Sequence, residues 1–189
     1  MSNQKVIAFV GMPGAGKGTC TKYLAATYDY PLIHFGDMVY EEVQARGLDN
    51  VLDERFVRED MRKQEGLAVL AKRAAAKADG YIKKGCPAVV LDGLYSWTEY
   101  KFLREKYQDS LIVVAIFATR ELRHQRILDR KDSHRSYTKQ QIINREVDEI
   151  ENLEKGGPIA IADYSLLNDS TPEQLLADLD KILQEINFI

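Results

Sequence analysis

The sequence predicts an α/β fold in which a five-stranded parallel sheet is covered by helices on both faces. Five short apolar runs indicate buried strands, at residues 6–10, 32–35, 88–91, 111–117 and 164–167. Longer segments that mix polar and apolar residues at helical spacing separate these runs. Alternation of strands and helices is typical of a parallel sheet with both faces covered. Right-handed crossovers then bring the loops after the strands to one edge, where ligands bind in such sheets.

Length and composition predict one domain, spanning residues 1–189. The chain has 189 residues and is 45% hydrophobic, which is enough to bury a single core. Its formal net charge of −3 disfavours nucleic acid and anionic membranes as partners. Cys20 and Cys86 lack metal-ligand spacing, which is typical of reduced thiols. No apolar run could span a bilayer and the N-terminus lacks a signal pattern, so we expect a cytoplasmic protein.

The first predicted strand runs into a glycine-rich turn and then into a helix-forming segment. The turn reads GMPGAGKGT, from residue 11 to residue 19. Its glycines allow successive backbone N–H groups to face one concavity, and the helix that follows adds its own free N–H groups. Lys17 would bridge the β- and γ-phosphates of a nucleotide. The candidate nucleotide-binding residues are Gly11, Pro13, Gly14, Ala15, Gly16, Lys17, Gly18, Thr19 and Cys20. The alternative is an ordinary turn with a solvent-facing lysine.

This turn resembles the phosphate loop of adenylate kinases and related nucleoside monophosphate kinases, GxPGxGKGT. The resemblance implies a three-layer P-loop NTPase fold, ATP as phosphoryl donor, Mg²⁺ and a small acceptor. It also implies a helical acceptor-binding insertion at about residues 37–85 and a short lid at about 130–140. Residues 62–66 and 71–73 resemble segments of an uncharacterised, chiefly archaeal family of P-loop proteins related to dephospho-CoA and adenylate kinases.

The metal candidates are Thr19 and Asp92, both through water. The general loop pattern has Ser or Thr directly after the lysine, whereas Gly18 precedes Thr19 here. Asp92 follows the third apolar run, and an acid at a strand end beside a phosphate loop typically holds Mg²⁺. An aspartate that only stabilises the turn is the alternative for Asp92.

The acceptor-binding candidates follow from two further resemblances. Gly36-Asp37-Met38 resembles the segment with which adenylate kinases begin their acceptor insertion, and Asp92-Gly93 resembles the start of their DGFPR motif. Tyr40 and Ser96 stand where those enzymes have arginines for the acceptor phosphate, which argues against AMP as the acceptor. Asp37 could orient the acceptor or cap the helix expected from residue 39, and the two roles are compatible. The candidates are Gly36, Asp37, Tyr40, Arg62, Arg73, Asp92 and Gly93.

Arginines at helical spacing follow the fourth strand. Arg123, Arg126 and Arg130 fall near one helix face, which predicts that they converge on one target. This segment resembles the start of the lid in monophosphate kinases, and Arg145, on a helix expected at residues 140–155, is placed like their second lid arginine. A guanidinium binds phosphate oxygens in a bidentate manner, whereas pairing with Glu149 is the alternative role for Arg145. The catalytic candidates are Lys17, Asp37, Arg126, Arg130 and Arg145.

These motifs predict an ATP-dependent phosphotransferase that moves the γ-phosphoryl group of MgATP to a nucleotide-like small acceptor. Phosphorylation of a hydroxyl, as in dephospho-CoA kinases, is one alternative, with Asp37 as the general base. A nucleotide-dependent regulatory ATPase is the other. Such ATPases usually carry a glutamate after the strand-end aspartate, where Gly93 stands here.

Overall fold

The computed structural model describes residues 4–49, 53–129 and 137–188, in which strands and helices alternate. The strands are β1 (Lys5–Val10), β2 (Leu32–His34), β3 (Ala88–Asp92), β4 (Leu111–Phe117) and β5 (Tyr164–Leu167). The helices are α1 (Lys17–Tyr28), α2 (Phe35–Ala45), α3 (Glu54–Glu65), α4 (Val69–Lys83), α5 (Trp97–Tyr107), α6 (Arg120–Leu128), α7 (Lys139–Glu151), α8 (Gly156–Ala160) and α9 (Pro172–Glu185). The predicted α/β class is confirmed.

The five strands form one parallel sheet in the order β2-β3-β1-β4-β5. The central strand β1 is flanked by β3 and β4, with Ala8 opposite Leu91 on one side and Val113 on the other. Residues 6–10 of β1 are fully buried, as a strand covered on both faces requires. Because Phe9 pairs with Asp92, the loop that leaves β1 starts beside the carboxylate at the end of β3.

Two apolar clusters, one on each face of the sheet, make the three layers. One contains Val6, Ala8 and Val10 of β1 together with Phe35 of α2 and Leu103 of α5. The other contains Ile7 and Phe9 of β1 with Leu24 of α1 and Leu179 of α9. The alternate residues of β1 therefore face opposite layers, and this fixes the strand between the two sets of helices.

Three predicted boundaries differ from the structure. β2 ends at His34, and α2 begins at Phe35 instead of near residue 39, because the fully buried Phe35 belongs to the helix-packed layer. The N-cap of α2 is His34, so the predicted capping role of Asp37, which lies in the first turn, is wrong. α7 ends at Glu151 and not at residue 155.

Much of the predicted lid, including Arg130 and Arg135, lies outside the described residues. The chain is described again from Tyr137, and the side chain of Thr138 caps α7 by accepting a hydrogen bond from the Gln141 N–H. Among the helices in the described ranges, none combines the length and apolar character that crossing a bilayer requires.

Candidate nucleotide-binding site

The turn between β1 and α1 (residues 11–19, hereafter the P-loop) has a backbone that only glycine adopts readily at three positions. Gly11, Gly14 and Gly16 have φ angles of 144°, 81° and 109°. A Cβ on Gly14 would lie 2.4 Å from the carbonyl oxygen of Arg123, and one on Gly16 would lie 2.2 Å from Asn168 Nδ2. The loop is therefore shaped closely against the elements behind it, and its concave side remains open.

Lys17 is the first residue of α1 and lies across the P-loop. Its Nζ donates hydrogen bonds to the carbonyl oxygens of Gly11, at 2.7 Å, and Met12, at 3.2 Å. Burial, followed by the charge of nearby Lys155, lowers the pKa of Lys17 to about 7. A phosphate group beside Lys17 would favour the charged form of this amine, which is the form that binds phosphate.

A cavity of about 570 Å³ opens over the P-loop. Its walls contain four cationic side chains and a single carboxylate, a balance that suits a polyphosphate. The lining residues are Pro13, Gly14, Gly16, Lys17, Gly18, Thr19, Lys22, Asp92, Tyr95, Ile127, Tyr137, Arg145 and Lys155. The cavity thus joins the P-loop and the carboxyl end of β3 to α7.

Asp92 faces this cavity from the end of β3. His34 Nδ1 lies 3.0 Å from Asp92 Oδ2, and the Thr21 hydroxyl lies 3.5 Å from the same oxygen. This contact with Asp92 raises the pKa of His34. The described residues contain no cluster of three or more His, Cys, Asp or Glu side chains that could hold a metal ion by themselves. One carboxylate and the Thr19 hydroxyl beside a phosphate site fit Mg²⁺, which takes few protein ligands and completes its shell with water and phosphate oxygens.

Arg145 and Lys155 line the cavity, and both pair with Glu149, which does not line it. Arg145 Nε lies 2.9 Å from Glu149 Oε1, and Lys155 Nζ donates to Glu149 Oε2. Lys155 Nζ also lies 4.6 Å from the centre of the Tyr95 ring. Both interpretations of Arg145 therefore describe one geometry, because the arginine pairs with Glu149 and also lines the cavity.

Arg126 faces a second, smaller cavity of about 140 Å³ on the same loop. Arg126 Nη2 donates to Asn168 Oδ1 at 3.2 Å, and Asn168 Nδ2 donates to the carbonyl oxygen of Ala15 at 2.8 Å. The other terminal nitrogen of Arg126, Nη1, is buried without a hydrogen-bond partner among the described residues. Pro172 and Leu175 supply the apolar wall, which suits the base of a nucleotide whose phosphates lie on the P-loop.

Arg123 does not join Arg126, so the predicted convergence of these two arginines is wrong. Arg123 is 8% exposed and donates to the carbonyl oxygens of Pro13, at 3.2 Å, and Ala118, at 3.3 Å. It also pairs with Glu146, which lies within 3.0 Å of Arg120 and His124 as well. Arg123 therefore supports the P-loop and lines neither of the two cavities.

The predicted acceptor residues are dispersed. Asp92 lines the larger cavity, whereas Gly36, Asp37, Tyr40, Arg62, Arg73 and Gly93 lie outside its wall. Arg73 pairs with Glu42, at 2.8 Å, and with Glu65, at 2.5 Å, among the helices of the insertion. Arg62 lies 3.8 Å from the buried Glu99.

The loop after β3 is held rigidly. The backbone N–H groups of Tyr95 and Ser96 donate to Glu99 Oε2, both at 3.0 Å, and the Ser96 hydroxyl accepts from the Glu99 N–H at 3.1 Å. A Cβ on Gly93, whose φ is 119°, would lie 2.8 Å from Phe35 Cβ. Tyr95 lines the cavity. Trp97 does not line it and stacks on Tyr100, with 5.2 Å between the ring centres.

Comparison with known proteins gives relatives along nearly the whole chain. A family profile described as an AAA domain matches residues 10–144. A UPF0200 protein of Methanosarcina acetivorans is 31% identical over 180 residues, which cover 95% of this chain and 94% of that protein. A UPF0200 protein of Thermoplasma acidophilum is 34% identical over 184 residues, covering 95% of this chain and 96% of that protein.

Solved structures share the fold at low identity. TT1252 from Thermus thermophilus superposes with a TM-score of 0.65 and 18% identity, covering 96% of this chain and 97% of that one. A shikimate kinase from Bacteroides thetaiotaomicron superposes with a TM-score of 0.59 and 15% identity, covering 95% of this chain and 98% of that one. A gluconokinase from Sinorhizobium meliloti superposes with a TM-score of 0.58 and 17% identity, covering 100% of this chain and 98% of that one. The fold is that of P-loop kinases.

Proposed function

This chain belongs to the UPF0200 family, and from that premise we propose that it is an ATP-dependent phosphotransferase. The proposed reaction moves the γ-phosphoryl group of MgATP to a nucleotide-like small acceptor. The observation that carries the proposal is the cationic cavity over the P-loop, where Lys17, Arg145 and Asp92 line one space. Phosphoryl transfer needs little covalent chemistry from the protein, and positioning and charge stabilisation are what such a cavity provides.

The donor would lie along the P-loop. The loop N–H groups and Lys17 would hold the β- and γ-phosphates, while the base would enter the smaller cavity beside Arg126 and Pro172. Mg²⁺, when bound, neutralises phosphate charge, and Asp92 and Thr19 are the residues that would hold it through water. Gly18, which follows Lys17, leaves open space beside the loop, since a Cβ there would meet no atom within 4 Å.

The chain's own cations would stabilise the charge that develops during transfer. Arg145 presents a planar guanidinium to the cavity, and Glu149 fixes its orientation at 2.9 Å. A hydrogen-bond donor whose position is fixed before the reaction stabilises the charged transition state without having to reorganise. Electrostatic catalysis gains most from such fixed groups. Arg130 stays a prediction, because it lies outside the described residues.

The acceptor would approach from the side of β2 and α2. Asp37 lies in the first turn of α2, whose N-cap residue His34 contacts Asp92, and it would orient the attacking group. Ser96 offers no hydroxyl to an acceptor phosphate, since its side chain caps α5 and is 7% exposed. That observation favours a second candidate, in which the acceptor presents a hydroxyl and Asp37 takes its proton.

The test is to measure ADP release and to identify the product by mass spectrometry. The panel contains nucleoside monophosphates, dephospho-CoA and other small alcohols, with Mg²⁺ and with excess EDTA. We expect one acceptor to raise ADP release and to gain one phosphoryl group only with Mg²⁺. The Lys17→Ala variant should lose about 10²-fold or more of that rate, because it removes the charge on the terminal phosphates.

A matched control is Lys181→Ala, which removes an exposed lysine of α9 that pairs with Asp178 on the same helix. It should leave the rate unchanged. ATP hydrolysis without any phosphorylated acceptor would support the regulatory ATPase instead. Full turnover by Lys17→Ala would rule out the proposed site.

A further inference from the structure

Lys155 is a buried lysine on the cavity wall that no sequence motif indicated. It lies in the short connection between α7 and α8, it is 1% exposed, and it lines the larger cavity. An ammonium group carries three N–H donors. Within the described part of the chain its one hydrogen-bond acceptor is Glu149, so donors remain for another oxygen.

The surroundings of Lys155 explain why a buried cation is tolerated. Glu149 supplies a paired charge, and the face of the Tyr95 ring lies 4.6 Å from Nζ. Glu149 does not line the cavity, whereas Lys155 and Arg145 do. Glu149 thus pairs with Lys155 and Arg145 on the side away from the cavity, and both cations face the space above the P-loop.

Lys155 is also close enough to Lys17 to act on it electrostatically. After burial, the charge of Lys155 is the largest influence that lowers the pKa of Lys17. Two lysines that repel each other across a cavity are both stabilised when an anion binds between them. The terminal phosphate of a nucleoside triphosphate is such an anion, because it lies at the Lys17 end of a P-loop.

We propose that Lys155 is a second phosphate-binding lysine, which contacts the terminal phosphate of the bound nucleoside triphosphate together with Lys17. This inference rests on the proposed function in so far as that function requires ATP at the P-loop. Glu149 is then a positioning residue that holds Lys155 in place. Lys155 gives the site a means to distinguish a triphosphate from a diphosphate.

The test compares the affinities for ATP and for ADP by calorimetry, with Mg²⁺ present. The Lys155→Met variant keeps an unbranched side chain that is one atom shorter and removes its charge. We expect it to bind ATP about tenfold more weakly, as the loss of one charged hydrogen bond implies, and ADP less than about threefold more weakly. Lys106→Met is the matched control, because Lys106 is an exposed lysine that pairs with Asp79 at 2.8 Å and does not line the cavity. It should change neither affinity.

A second variant keeps the test decisive if Lys155→Met fails to fold. Glu149→Gln combined with Lys155→Met removes both charges of the buried pair, so that no unpaired carboxylate remains. An unchanged ratio of ATP to ADP affinity in either folded variant would overturn the inference, even if wild-type protein transfers phosphate. A lowered ratio without any phosphorylated acceptor would retain the inference and reject the phosphotransferase. Wild-type protein that binds no nucleotide would reject both.

Discussion

Single residues set the shape of the P-loop, and Gly14 shows this most directly. Its φ of 81° is strained for any residue with a side chain, and a Cβ would lie 2.4 Å from the Arg123 carbonyl oxygen. We expect Gly14→Ala to lower the free energy of unfolding by about 1–3 kcal/mol and to weaken ATP binding, because the loop must shift. Urea unfolding and calorimetry would measure the two effects.

Gly80→Ala is the control for that substitution. Gly80 lies inside α4, and a Cβ there would meet no atom within 4 Å. Alanine should raise the free energy of unfolding by about 0.5–1 kcal/mol and leave ATP binding unchanged. Equal effects of the two alanines would contradict the proposed strain at the loop.

Two of the predicted residues that line the larger cavity, Lys17 and Asp92, were indicated by local chain geometry. Lys17 follows from the strand, turn and helix around it, and Asp92 from its place at the end of an apolar strand. Lys155 could not be predicted, because its role depends on the approach of Tyr95 and Glu149, which the chain order does not reveal. Helical spacing placed Arg123 and Arg126 near one face, yet Arg123 contacts Pro13 of the P-loop whereas Arg126 contacts Asn168.

At the scale of elements, the buried Glu146 joins α6 to α7. Its carboxylate lies within ion-pair distance of Arg120, Arg123 and His124, all of α6. Burial acts to raise the pKa of Glu146, but the hydrogen bonds from those three side chains outweigh it and lower the pKa below 4.5. The ionised carboxylate therefore stabilises the pairing of the two helices.

We expect Glu146→Gln to lower the free energy of unfolding by about 3 kcal/mol at pH 7, because buried cations lose their partner. The folded pKa is lowered, so the carboxylate's contribution is complete above its unfolded pKa and is lost as pH falls through the folded value. The difference between variant and wild type should accordingly shrink below about pH 4.5. Urea unfolding across that range would measure it. Glu151→Gln, an exposed position of α7, should show neither effect.

The element boundaries were less predictable than the elements. Phe35 was expected in β2 because it continues an apolar run, but its buried side chain packs against Gly93 from the first turn of α2. An apolar run alone cannot separate the last residue of a strand from the first residue of a buried helix. That shift of the helix start is also why Asp37 lies inside α2 and does not cap it.

For the whole molecule, the fold was predictable because its pattern repeats along the chain. Each buried strand is followed by a helix, and both core layers draw on β1. The relative placement of segments that are far apart in the sequence was not predictable, since it depends on long-range packing. The C-terminal Phe188 illustrates this, because it packs edge-on against Tyr30 at 5.2 Å and accepts a hydrogen bond from the Tyr30 hydroxyl at 2.9 Å.

We expect Phe188→Ala to lower the free energy of unfolding by about 3 kcal/mol, because it empties a buried site beside Tyr30, in the segment between α1 and β2. Unfolding should remain a single transition if the chain forms the one domain that its sequence predicts. Thermal denaturation would measure the change, with Leu167→Ala as control, since Leu167 is 66% exposed. An unaltered melting temperature would mean that the C-terminal residues contribute nothing to the core.

Asn168 has a consequence for how such a site can evolve. Its carboxamide nitrogen holds the Ala15 carbonyl at 2.8 Å while its oxygen holds Arg126 at 3.2 Å. One planar group therefore braces the P-loop and the wall of the smaller cavity at the same time. In the proposed site, a mutation of this asparagine that altered nucleobase preference would also disturb the P-loop. A change of preference is better achieved at Pro172 or Leu175, which line the smaller cavity and not the larger one.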